Sequence, residues 1–139
     1  MDDLAEPAVE SLRHSGRRFA PEAGSVREIR DYTAEVLRDW DLDHLSGTVR
    51  QLVSELATNA LRHGHGFVEV RLIRGDRLTC EVLDSSCLLP ELRFPGEDAE
   101  SGRGIQLVSL LADRWGCRPL PTGKAVWFDL DLRPSGDGR

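Results

Sequence analysis

The chain has 139 residues, 40% of them hydrophobic and 30% charged, with a formal net charge of -6. That length suits one domain with a sizeable core, and the acidic balance argues against a nucleic-acid or anionic-membrane partner held by bulk electrostatics. No apolar run reaches the roughly 20 residues needed to span a bilayer, and the acidic start Met1 to Pro7 lacks the apolar core of a signal peptide, so a cytoplasmic protein is expected.

Residues 1–16 are polar without a sustained period and read as a flexible arm. Arg17 to Ala20 suits a short edge strand, and residues 21–24 a turn. Ser25 is a candidate N-cap for a helix over 26–39, whose Val26, Ile29, Thr33, Val36, Leu37 and Trp40 follow a helical period. Asp41 to Asp43 ends it, and Asp43 or Ser46 suits the cap of a second helix. There, apolar residues at 49, 52, 53, 56, 57, 60 and 61 cover one broad face. Glu55 and Asn59 are one turn apart on the border of that face, and His63 continues their line. A carboxylate and an amide aligned beside Leu52 and Leu56 suggest the wall of a pocket.

Gly64-His65-Gly66 suits a helix stop. Residues 67–73 and 78–83 alternate with period two around Gly75-Asp76, which predicts a β-hairpin with Asp84 at its end. Residues 85–101 hold Pro90, Pro95, Gly96 and an acidic run, and a loop of this length is often a lid or binding segment. Gly102-Arg103-Gly104 then opens an apolar helix over 105–112. Residues 114–117 and 125–132 suggest a second hairpin around a turn region from Pro119 to Lys124, and residues 133–139 a flexible tail. Helices grouped around a hairpin-built sheet predict an α+β, two-layer sandwich over 17–132.

Of the three cysteines, Cys80 and Cys117 fall in apolar stretches and read as reduced core residues, while Cys87 falls in the long loop. His63 and His65 offer two metal ligands without a visible third. Gly102 to Gly104 before a helix makes a physically good anion site, because backbone N–H groups and the helix N-terminus meet there. A dinucleotide fingerprint is excluded by Leu107 and by the preceding loop, and a Walker A loop by Ala125 after Gly123-Lys124. The Asn59 oxygen suits magnesium, and Glu55 can accept a proton from a nearby hydroxyl.

In combination these stretches are more specific than any one of them. Glu55-Leu56-Ala57-Thr58-Asn59-Ala60, then Asp84-Ser85-Ser86, then Gly102-Arg103-Gly104-Ile105 resemble in order and spacing the N, G1 and G2 boxes of the GHKL (Bergerat-fold) ATPase superfamily. The small size and the Gly123-Lys124-Ala125-Val126-Trp127-Phe128 run look most like the anti-sigma-factor serine/threonine kinase-like ATP-binding regulators of actinobacteria.

The resemblance implies helices on one face of a mixed, mostly antiparallel sheet, with ATP and Mg²⁺ as cofactors. It implies that Asn59 holds the metal against the phosphates, that Glu55 is the general base, and that Asp84 accepts from the adenine amino group. Gly102, Arg103 and Gly104 would bracket the phosphates, with residues 87–101 as the lid. The implied activity is phosphorylation of a serine or threonine on an anti-sigma factor antagonist, with a sigma factor as a further protein partner and no contact with nucleic acid or membrane. The alternative is a protein-interaction module that regulates transcription without catalysis. Family members are often homodimers, but the sequence offers no unambiguous exposed apolar stripe. Two departures stand out: Ser86 and Leu88 replace the usual G1 glycines, and Lys124 and Ala125 stand where a threonine often opens the last strand.

Overall fold

A computed structural model of the chain describes residues 12–63, 66–85, 108 and 110–133. Among the described residues, five strands and two full α-helices follow in the order β1 (Arg13–Phe19), α1 (Ser25–Asp39), α2 (Ser46–His63), β2 (Val68–Arg74), β3 (Arg77–Asp84), β4 (Arg114–Leu120) and β5 (Gly123–Asp131), with a 3₁₀ turn at Asp43–Leu45 before α2. The strands form one sheet in the order β1-β2-β3-β5-β4. Among the described residues every pairing is antiparallel, where a mixed sheet was expected. The two helices pack against each other and against the sheet, giving the expected α+β sandwich.

The core follows from the two periods. Helix α1 buries Ile29, Tyr32, Thr33, Val36 and Leu37, and α2 buries Val49, Leu52, Val53, Leu56, Ala57 and Ala60. They meet one face of the sheet, where β2 contributes Val68, Val70 and Leu72, β3 contributes Leu78, Cys80 and Val82, and β5 contributes Val126, Phe128 and Leu130. Each fully buried Leu, Val or Phe is worth about 1.5–3 kcal/mol of transfer free energy. Burial pushes the Cys80 thiol well above its usual range and raises that of Cys117, so neither is a ready thiolate; both are free cysteines.

The opposite sheet face is a ladder of charge. Arg71 donates to Glu69 at 2.9 Å, and Arg118 to Glu81 at 3.2 Å. The Arg71 guanidinium holds the Glu69 carboxyl below the usual value. Arg114 reaches Asp129 with two nitrogens. Trp127 occupies the remaining space over Gly116, where a Cβ would come within 2.8 Å of its ring.

Several local expectations change. The first strand starts at Arg13, within the segment read as an arm, and pairs along its whole length with β2. Its exposed residues carry no apolar alternation, so the pairing alone defines it. Ser25 is not the N-cap of α1. Gly24 holds that place, and the buried Ser25 hydroxyl donates to the Ala20 carbonyl at 2.8 Å, tying the helix start to the end of β1. Asp41 leaves α1 with a positive φ of 63°, a conformation aspartate tolerates better than most residues. The last turn is only Pro121-Thr122. Pro119 therefore sits within β4, an edge strand, where its missing N–H is tolerated. Lys124 belongs to β5 and not to the turn.

Candidate functional site

Residues Glu55 and Asn59 lie on α2 with both side chains half-buried, flanking the buried Leu52 and Leu56. This is the border position that their spacing predicts. The chain leaves α2 at His63 and enters β2 at Val68, and Glu69 then pairs with Leu83. The end of β3 is thereby fixed beside the C-terminal end of α2. The Gly66 N–H donates to the Ser85 hydroxyl at 3.0 Å, fastening the same junction. Asp84, the last residue of β3, continues the row Leu78, Cys80, Val82 on the helix-facing side. The structure thus brings the end of α2 and the carboxylate of Asp84 to one end of the sheet.

The sheet register adds a residue that the sequence reading had assigned to a turn. Lys124 is directly opposite Asp84. Its Nζ donates to both Asp84 oxygens at 3.0 Å. The two side chains are 6% and 3% exposed. A buried ion pair of this kind persists because each charge compensates the desolvation of the other. The signal for it was present in sequence: Lys124 is in phase with Val126, Phe128 and Leu130, the residues of β5 that face the core.

Gly123, beside this pair, is required by space and not by its φ. A Cβ there would stand 1.9 Å from the Asp84 carbonyl oxygen. Gly123→Ala should force the β3–β5 ladder apart next to Asp84, at a cost of about 1–3 kcal/mol. Thermal unfolding checks it, and an unchanged midpoint would show that the strands can separate freely at this point.

Gly102, Arg103 and Gly104, together with the segment 87–101 expected as the lid, lie outside the described residues, as do Ser86, Cys87 and Leu88. Of the helix expected over 105–112, Val108, Leu110 and Leu111 are helical, and Val108 is buried in the core. The His63 side chain and His65 are likewise outside. Among the described residues, no three His, Cys, Asp or Glu side chains converge to hold a metal by themselves. A magnesium ion fits here only with an amide oxygen such as that of Asn59 and with oxygens from a bound phosphate and water, which is the ordinary way it binds nucleotides.

A family model described as "Histidine kinase-like ATPase domain" matches residues 19–130. The chain therefore belongs to the histidine kinase-like ATPase domain family, within the GHKL type that its motifs resemble. Among solved structures it is similar to the histidine kinase domain of the blue-light activated histidine kinase from Erythrobacter litoralis EL346, with 25% identity and a TM-score of 0.51. That match covers 77% of this chain and 59% of the other, so the chain spans less than two thirds of its relative. No curated protein matches. Among the described residues, no helix is long and apolar enough to cross a membrane.

Proposed function

We propose that the chain is an ATP- and Mg²⁺-dependent cytoplasmic regulator of the anti-sigma type, which transfers phosphate to a serine or threonine of an anti-sigma factor antagonist. What supports this reading is that Glu55 and Asn59 are half-buried beside the apolar stripe of α2, and that Asp84 is the last residue of β3 on the helix-facing side. In a chain of this family, a nucleotide would need a metal ligand, a base and an adenine acceptor, and these three side chains have the chemistry for those roles. The Asn59 carbonyl oxygen would hold the ion beside the phosphates, and Asp84 would accept from the adenine amino group. Glu55 would take the proton of the substrate hydroxyl as its oxygen bonds to the γ-phosphorus and the bond to ADP breaks. Positioning and charge neutralisation supply most of the rate in such transfers, and these side chains provide both. The protein partners proposed are an antagonist, a sigma factor or both, without nucleic acid or membrane.

A second reading is a protein-interaction module without catalysis. It is favoured by the ion pair itself, because both oxygens of Asp84 already accept from Lys124. Purified protein, labelled ATP, Mg²⁺ and the antagonist encoded beside it separate the two. Transfer of label to a serine or threonine of the antagonist is expected, with Glu55→Ala retaining nucleotide affinity and losing transfer. Nucleotide binding without transfer by the wild-type chain would leave the module.

A further inference from the structure

We propose that β1 is a docking edge for an acidic, extended segment of a partner protein, which adds to the sheet as a further strand. The interaction needs no nucleotide and stands apart from the ATP reading. Strand β1 ends the sheet, and among the described residues nothing pairs with its outer side. A strand in that place keeps a row of N–H and C=O groups turned outward, which is a template for another strand. The template is regular, since all 7 residues pair with β2 in continuous register, without a bulge or a proline. The other edge, β4, is interrupted by Pro119.

The charge on this edge selects the occupant. The chain has a net charge of -6, yet β1 holds Arg13, His14, Arg17 and Arg18 and no acid. All of these are exposed. Arg18 lies on the charged face of the sheet, 3.5 Å from Glu69. Arg17 is on the helix-facing side, in phase with the buried Phe19 and with Ser15, whose hydroxyl bonds to that of Tyr32. Its guanidinium carbon is 5.0 Å from the Phe19 ring centre and 5.8 Å from that of Tyr32. Arg13 continues the same side. Among the described residues, neither Arg13 nor Arg17 has a carboxylate partner.

Charged edges ordinarily keep other strands away. Here they do so for a second copy, because two β1 strands side by side would set one cationic row against another. An acidic strand meets the reverse condition. Carboxylates across from Arg13 and Arg17 form the cross-strand ion pairs that these two lack. Arg17 already rests on two aromatic rings, so ordering it costs little side-chain freedom.

The probe is the acetylated and amidated peptide Glu-Val-Glu-Val-Glu-Val-Glu, titrated without nucleotide into ¹⁵N-labelled chain. As a strand it carries its carboxylates on one face. Amide resonances of Arg13 to Phe19 should shift, and the outward amides of β1 should exchange about 10-fold more slowly at saturation. The analogue Glu-Pro-Glu-Pro-Glu-Pro-Glu has the same charge but cannot offer the N–H groups of a strand, and should bind about 10-fold more weakly. The double variant Arg13→Glu with Arg17→Glu should also bind the first peptide about 10-fold more weakly, with the resonances of α2 and β5 unmoved as proof of folding. Equal binding of the two peptides by the wild type overturns strand addition, whether or not the variant folds. Absence of shifts in β1 at millimolar peptide overturns the docking edge and leaves the ATP reading untouched. Outward β1 amides that exchange slowly in the free chain, and faster on dilution, would put a second copy on the edge and overturn the proposal as well.

Discussion

Lys124→Met should lower the stability of the folded chain by about 3 kcal/mol, the cost typical of stranding one member of a buried ion pair. For a domain of this size, that is a fall in melting temperature of about 10 °C. The reason is desolvation. Asp84 is 3% exposed at its side chain and accepts from Nζ on both oxygens. Methionine fills nearly the same volume, so packing changes little and the electrostatic loss dominates. The double variant Asp84→Leu with Lys124→Met should recover most of the loss, since an apolar pair of similar volume removes the stranded charge. Chemical denaturation of the four proteins in the cycle measures the coupling. Additive effects of the two substitutions would show that the pair contributes nothing as a pair.

Asn59→Ala should leave the fold intact and weaken Mg²⁺-dependent ATP binding by about 100-fold, or about 2.7 kcal/mol. The side chain is half-buried on the border of α2, and its removal opens no core cavity, because the buried stripe beside it is built by Leu52, Leu56 and Ala60. Alanine also has the higher helix propensity. Stability should therefore hold or rise slightly while affinity falls, and a parallel titration without metal should show a much smaller difference. Calorimetric affinity equal to the wild type, with and without Mg²⁺, would remove Asn59 from the site.

The helices and the β2–β3 hairpin were legible because one local signal sufficed for each. The stripe from Val49 to Ala60 has the period of a helix, and Val68 to Asp84 the period of a hairpin with Gly75-Asp76 at its tip. From these the border placement of Glu55 and Asn59 followed directly. The first strand was legible only in part, because Arg13 to Arg18 stays largely exposed and has no alternation to read. Its strand character comes from hydrogen bonding to β2, a tertiary fact. Lys124 was misplaced for a related reason. Pro119 and Gly123 are ordinary turn markers, but here the first lies on a sheet edge and the second relieves a close contact. Nor does any local pattern encode that β5 inserts between β3 and β4, and that insertion is what sets Lys124 against Asp84.

The insertion of β5 has a consequence for how the molecule is made. Asp84 and Lys124 are 40 positions apart, yet they are direct neighbours in the sheet. Helices α1 and α2 and the β2–β3 hairpin can form from contacts near in sequence, whereas β3 meets β5 only after the chain from 85 to 122 has been closed into a loop. During synthesis β3 therefore emerges as an unpaired edge that ends in a charged aspartate, and it remains so until the last strand leaves the ribosome. The buried Asp84–Lys124 pair is completed by the same late event that seals that edge, so a chain truncated before residue 123 would lack both.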